Sequence, residues 1–247
     1  RKSGLSAGVV RAVGTLPIVW HLGQLHTPLA LDKADKPDFR PLCLTKWFAA
    51  TQACSPKAVI NPPMAAAFVD EAQEWRRSGG SVKEALVLYD PDSPHMFDPT
   101  RLRLPSGVRL VALTGYSRRQ VIGLYKRAMV IIDSFLTGCE RALFEAALFD
   151  VVPIIGLHGP GRDVDSFPIP AGWAWRMWDY GHLNELLHRA LTQHDAAVAA
   201  FRPFVKHTLS LEASFIQQAS NYFGDDVLFV ISALGAPGDG DGDAPLP

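Results

Sequence analysis

Cysteine is scarce in this chain: three in 247 residues, Cys43, Cys54 and Cys139, odd in number and far apart. That excludes a disulfide framework and points to a reducing compartment, so a cytoplasmic setting is expected. No CxxC pair and no His/Cys cluster with zinc spacing occurs. No apolar run approaches the ~20 residues of a membrane helix, so no integral membrane segment is expected. Neither sign of charge dominates, with 24 basic and 25 acidic residues and a formal net charge of -1. Nothing in that balance calls for nucleic acid or an anionic membrane as partner. A Gly-x-Gly-x-x-Gly after the first strand, the mark of a dinucleotide enzyme, is also missing.

What the chain has is a large apolar fraction, 48%, enough for a substantial core. The stretch from Tyr116 to Gly156 sets the architecture. Val121, Ile122, Leu124, Tyr125 and Ala128 recur at helical spacing, and Ser117 stands where an N-cap belongs. Met129 to Ile132 fits a fully buried strand, ended by Asp133. After the loop Ser134 to Cys139, the positions Ala142, Leu143, Ala146, Ala147 and Phe149 predict a second helix, and Val151 to Ile155 a second buried strand. Strands that alternate with helices and are apolar on both faces imply a parallel sheet covered on both sides, an α/β fold of the doubly wound, Rossmann-like kind. Such sheets bind ligands beyond the carboxyl ends of their strands.

The loop before the second helix is therefore the first place to look for a site. Thr137 and Gly138 sit where a strand hands over to a helix N-terminus, a position that favours an anion such as phosphate. Glu145 follows about two turns into that helix. The run Gly138, Cys139, Glu140, Arg141, then Glu145-Ala146-Ala147, then Val152-Pro153-Ile154-Ile155 resembles the donor-binding segment of GT-B glycosyltransferases, the group 1 or family-4-like enzymes that use nucleotide sugars with retention. The resemblance spans roughly Ile60 to Leu191. It implies a GT-B-like fold, a hexosyltransferase type of activity, a Gly-rich turn whose amides face the diphosphate, and a Glu that holds the ribose hydroxyls. Thr137, Gly138, Cys139, Glu140, Arg141 and Glu145 are the donor-binding positions it implies. The family carries two glutamates eight positions apart; Glu145 matches the second, and the first falls on Thr137. It also implies a metal-independent reaction with no cofactor beyond the donor sugar, because helix dipoles and basic side chains stabilise the leaving diphosphate.

Elsewhere the chain reads in order. Residues 1 to 16 are weakly patterned. Strands are predicted over Leu16 to Leu22, Arg40 to Leu44 and Ala58 to Ile60, with a short helix Lys46 to Gln52 capped by Thr45. His21 and His26 are five apart, off a common helical face, and read as structural rather than ligating. The turn Asn61-Pro62-Pro63, with Phe68 beyond it, is the best boundary. Met64 to Arg77 predicts a helix closed by Ser78-Gly79-Gly80. Strands follow at Ala85 to Tyr89 and Val108 to Leu113. Between them the turn-rich loop Asp90 to His95 has Asp90, Asp92 and His95 where the family places a basic residue against the diphosphate. Arg118 or Arg141 is then the candidate cation. The loop Leu157 to Ser166, with His158 as a further candidate contact, reads as a flexible connection. The segment Phe167-Pro168-Ile169-Pro170 resembles an Asp-x-x-Ile-Pro element of a bacterial subgroup, with the acid here one position early, at Asp165. Trp173, Trp175 and Trp178 suit either a core or a stacking surface. Helices are predicted over His182 to Gln193, Ala196 to His207 and Leu209 to Tyr222. Val227 to Leu234 is apolar, and the acidic Gly/Pro-rich tail from Gly235 reads as disordered.

The expected organisation is a partial N-terminal α/β piece over 1–63, a nucleotide-sugar-binding domain over 64–223, and a tail over 224–247. The first residue is Arg1, which leaves room for a longer parent or a targeting segment. The expected function is transfer of a glycosyl group from a nucleotide diphosphate sugar to an acceptor the sequence does not identify. The alternatives are a non-catalytic relative that binds a nucleotide or partner, and an unrelated doubly wound enzyme.

Overall fold

Apolar residues on both faces of three strands build the centre of the structure, a computed structural model that describes residues 18–21, 40–43, 45–51, 59–91, 97–134 and 141–223. The first strands, β1 (Ile18–His21) and β2 (Arg40–Cys43), form a two-stranded parallel sheet of their own. Helix α1 (Lys46–Thr51) follows. The stretch Ala58 to Ile60, expected as a strand, contributes an isolated bridge between Cys43 and Val59. His21 is the last residue of β1, inside the strand expected over Leu16 to Leu22.

Helix α2 (Ala66–Arg77) buries Phe68, Ala72 and Trp75 on one face. It stops where expected: Gly79 and Gly80 take positive φ of 87° and 68°, and their amides return to the carbonyls of Arg76 and Trp75. Side chains with a Cβ resist that left-handed turn, which is why two glycines stand there. Then come β3 (Leu86–Tyr89), β4 (Arg109–Ala112), α3 (Arg118–Arg127), β5 (Val130–Asp133), α4 (Arg141–Ala147), β6 (Val152–Gly156) and the two-residue β7 (Ala174–Trp175). They form one all-parallel sheet in the order β4-β3-β5-β6-β7. Numbered within the sheet, that order is 2-1-3-4-5, the doubly wound arrangement with its switch point between β3 and β5.

Local chemistry explains the elements. Ser117 accepts from the Gln120 amide while the Gln120 side chain accepts from the Ser117 amide, a reciprocal capping box that starts α3. Pro153 is tolerated inside β6 because Val152 N–H already donates to Met129 on the β5 side, and the Pro153 nitrogen faces β7, which pairs only with Ile155 and Gly156. At the carboxyl end of β6 a Cβ on Gly156 would lie 2.0 Å from the Ser134 carbonyl oxygen, so only glycine lets β5 and β6 meet there.

One face of the sheet is closed by aromatic packing around Phe144 of α4. Its ring stacks on Phe204 at 5.0 Å and on Phe167 at 5.3 Å. Another aromatic group joins Phe97, Trp175 and Tyr180, and burying each such ring is worth ~1.5–3 kcal/mol. Lys83 sits beneath the sheet with its ammonium over the Trp75 ring and donates to the carbonyls of Tyr125 and Phe149, near the C-terminal ends of α3 and α4.

Two further sequence expectations are corrected. The loop after β6 is no flexible connection: Gly159, Pro160 and Gly161 are buried in a 3-10 turn. The last helices divide differently, as α5 (Tyr180–Thr192), α6 (His194–Ala200) and α7 (Arg202–Phe223), so the break falls at Phe201 and not at His207–Thr208. Pro203 explains this, since proline fits the first turn of a helix and not its middle. Strand β7 escaped notice because two residues carry no alternation to read. The proposed tail, the Val227 to Leu234 run, His26, Cys54 and Cys139 lie outside the described residues.

Candidate functional site

The carboxyl ends of β3 and β5 define the candidate site. The Asp90 amide donates to the Ile132 carbonyl at 3.1 Å, which carries the pairing of the two strands one step past their ends. This brings Asp90 and Asp133 side by side at the switch point. Asp133 and Ser134 are buried, at 3% and 2% exposure. Asp133 was read from sequence as the residue that ends the strand; it is the strand's last member, and a buried carboxylate there is the strongest feature that sequence reading passed over.

Glu145 of α4 is half-buried and accepts from the Tyr125 hydroxyl at 3.5 Å. Burial raises its pKa, opposed first by Arg141, then by the Tyr125 hydrogen bond and Arg118. Those opposing effects place both arginines within electrostatic reach of one carboxylate. Burial likewise holds the Tyr125 hydroxyl protonated, helped by Glu145 and Asp90. Arg118 and Arg141 therefore lie within electrostatic reach of Glu145, and Glu145 and Asp90 within that of Tyr125. Arg118 opens α3, which follows the carboxyl end of β4, and its neighbours leave it exposed. Arg141 opens α4 and donates to the Pro63 carbonyl, which ties the site to the Asn61-Pro62-Pro63 turn.

Among the remaining candidates, His158 lies two residues past β6 and enters the buried 3-10 turn, and its pKa is lowered by burial and by Arg162. Thr137, Gly138, Cys139, Glu140 and His95 lie outside the described residues. Of the three tryptophans, Trp173 and Trp175 are core: the Arg189 guanidinium lies 3.9 Å over the Trp173 ring, and Trp175 Nε1 donates to the Asp179 carbonyl at 2.8 Å. Trp178 is 54% exposed with a φ of 73°. Among the described residues no group of three or more His, Cys, Asp and Glu is arranged to hold a metal ion, and no helix is long and apolar enough to cross a membrane.

Chemically, the cluster offers hydrogen-bond acceptors for hydroxyl groups at Glu145, Asp90 and Asp133, and two guanidinium groups for an anion. Helix α4 is seven residues long, so its dipole adds little, and the positive potential must come from the arginines.

No protein-family model matches the chain, and no curated protein matches it in sequence. Solved structures do show likeness. WaaG, a glycosyltransferase involved in lipopolysaccharide biosynthesis, is 15% identical over 77% of this chain with a TM-score of 0.48. The wall teichoic acid polymerase TagF is 14% identical over 78% of it with a TM-score of 0.35. The chain spans 64% of the WaaG chain and 58% of the TagF chain. Likenesses of this size say nothing about chemistry, and the functional reading rests on the residues of the sheet edge.

Proposed function

We propose that the chain binds a nucleotide diphosphate sugar across the carboxyl edge of its five-stranded sheet and supports transfer of the glycosyl group, in the manner of GT-B enzymes. The observation that carries the reading is Glu145 on α4, the helix after β5, hydrogen-bonded by the Tyr125 hydroxyl and within electrostatic reach of Arg118 and Arg141. A carboxylate accepts from two vicinal ribose hydroxyls, and a charge-assisted pair of that kind is the strong sort of hydrogen bond. The guanidinium groups face the diphosphate, whose charge grows as the bond from the sugar anomeric carbon to the phosphate oxygen breaks. Burial works with this scheme, since water excluded from the carboxylate leaves ribose hydroxyls as its best donors.

Calorimetry on the full chain with UDP, GDP and ADP, and with the matching nucleosides, tests the reading. Glu145→Ala is expected to weaken the preferred nucleoside diphosphate by at least ~1.5 kcal/mol. Unchanged affinity in a folded variant removes Glu145 from the site, and no binding of any nucleotide removes the reading itself.

A second reading, a binding module without transferase activity, draws on a specific observation. Among the described residues, three carboxylates, Asp90, Asp133 and Glu145, accompany two arginines, Arg118 and Arg141, and Thr137 occupies the position of the first motif glutamate. Release of nucleoside diphosphate from UDP-, GDP- and ADP-sugars separates the two. Turnover near ~1 s⁻¹, the lower end of ordinary enzymes, favours the transferase; donor binding with no release above buffer favours the module.

A further inference from the structure

Tyr125 carries a hydroxyl where packing alone needs only a ring. It lies on the buried side of α3 with Ile122 and Leu124, and 1% of it is exposed. Its ring packs on Phe68 at 6.3 Å and on Phe149 at 6.1 Å. Phenylalanine would fill the same space, and burying a hydroxyl costs free energy that only a hydrogen bond offsets. That bond runs to another helix: the hydroxyl donates to Glu145 Oε2 of α4 at 3.5 Å.

The donor is a fixed point. Besides the two ring contacts, the Tyr125 carbonyl accepts from the Lys83 ammonium at 2.9 Å, and a reciprocal capping box starts the same helix. Glutamate, by contrast, has a long side chain with much rotamer freedom to lose. A carboxylate already held in one orientation binds its ligand at lower entropic cost. The tyrosine does not use it up. Two carboxylate oxygens offer about four acceptor sites, of which one hydroxyl takes one, so two vicinal ribose hydroxyls can still be accepted. Charge works in the same direction. Burial pushes Glu145 towards the neutral acid, and Arg141, the Tyr125 hydroxyl and Arg118 oppose it in that order. The ionised form is the stronger acceptor.

We propose that Tyr125 is a positioning residue of the nucleotide site, whose hydroxyl holds the Glu145 carboxylate in the orientation that accepts from both ribose hydroxyls and so sets a preference for ribonucleotides over deoxyribonucleotides. That the ligand is a nucleotide rests on the reading above.

The test is calorimetry on the full chain with UDP, GDP and ADP and their 2′-deoxy counterparts. The parent is expected to prefer the ribonucleotide about tenfold, the scale of one charge-assisted hydrogen bond. Tyr125→Phe keeps the ring and should cut that preference to about threefold or less by weakening the ribonucleotide, with the deoxyribonucleotide held within about twofold. Tyr125→Met fills similar space without a hydroxyl and repeats the test if the phenylalanine variant fails to fold. A merely structural role would weaken both ligands alike. The preference should also fade as falling pH protonates Glu145, and at a higher pH in Tyr125→Phe than in the parent, because the hydroxyl opposes the effect of burial. Arg141, Arg118 and Asp90, which act on the pair, and His207 of α7, beside Phe144, are common to both proteins. A folded Tyr125→Phe protein that keeps the full ribose preference overturns the proposal, as does one in which both nucleotides weaken equally. A parent that binds nucleotides without preferring ribose overturns it too. A parent that binds no nucleotide defeats the underlying reading as well, a result told apart from the others because it needs no variant.

Discussion

Replacing Gly156 by alanine should damage the sheet edge far more than a single methyl group suggests. The added Cβ would lie 2.0 Å from the Ser134 carbonyl oxygen and 2.8 Å from its carbonyl carbon. Ordinary contact begins near 3.4 Å, so the backbones must part by roughly 1.4 Å, the difference between 3.4 and 2.0 Å. Neither side can yield cheaply. Ser134 follows β5, whose Asp133 is registered on Ile155, and Gly156 itself is registered on Trp175 of β7. Forced overpacking of this kind costs ~1–3 kcal/mol and more where backbone must move. Gly123 provides the matched control. It lies within α3 with no atom within 4 Å of its would-be Cβ, so Gly123→Ala should stabilise by ~0.4–1 kcal/mol through a stiffer unfolded chain and better helix propensity. Urea titrations followed by circular dichroism would show the two midpoints moving in opposite directions. A Gly156→Ala protein as stable as the parent would refute the close approach of β5 and β6 on which the site geometry depends.

Other expectations follow from the same structure. Burial pulls Lys83 down from 10.5 to about 7, with Asp150 opposing and Arg76 assisting. Between those two values the unfolded chain binds more protons, so the parent should gain stability relative to Lys83→Met as pH rises from 7 towards 10.5; a difference that is flat or falling with pH in paired denaturations sinks this account. Ser117→Ala removes the hydroxyl half of the capping box and should cost ~1 kcal/mol in thermal or urea unfolding, where no loss at all would mean the Gln120 side chain suffices. Arg118→Glu places an acid at the first residue of α3, which the helix dipole tolerates, and should weaken a nucleoside diphosphate about tenfold or more while leaving the nucleoside within about twofold; equal losses for both ligands would assign the residue to folding.

The central sheet was legible because its strands are apolar on both faces and its helices keep their period: Val130 to Ile132 and Val152 to Ile155 are buried throughout, and α3 begins at the cap residue read from sequence. What escaped is chemistry that depends on three dimensions. Nothing in the local sequence tells that Asp133 ends up buried beside Asp90, since their adjacency comes from strand order. The pattern from Ala196 to His207 stays amphipathic through Phe201, so periodicity alone hid a break that Pro203 marks. Gly159-Pro160-Gly161 has the composition of a flexible turn and is nevertheless covered, because neighbours distant in sequence pack on it. For the site, Glu145 and the two arginines could be named from spacing and resemblance, whereas the hydrogen bond from the Tyr125 hydroxyl to Glu145 depends on how distant segments meet.

The outer strands of the five-stranded sheet have a bearing on behaviour at high concentration. A sheet with open edges invites a neighbouring molecule to add a strand, the first step of aggregation. One edge here is β7, only two residues long, and offers almost no ladder to copy. The other is β4, four residues that open with the exposed Arg109, whose guanidinium is held by Glu84. A short edge and a charged one both discourage strand addition, so colloidal stability in this part of the molecule is carried by geometry and local ion pairing at Glu84 rather than by an excess of net charge.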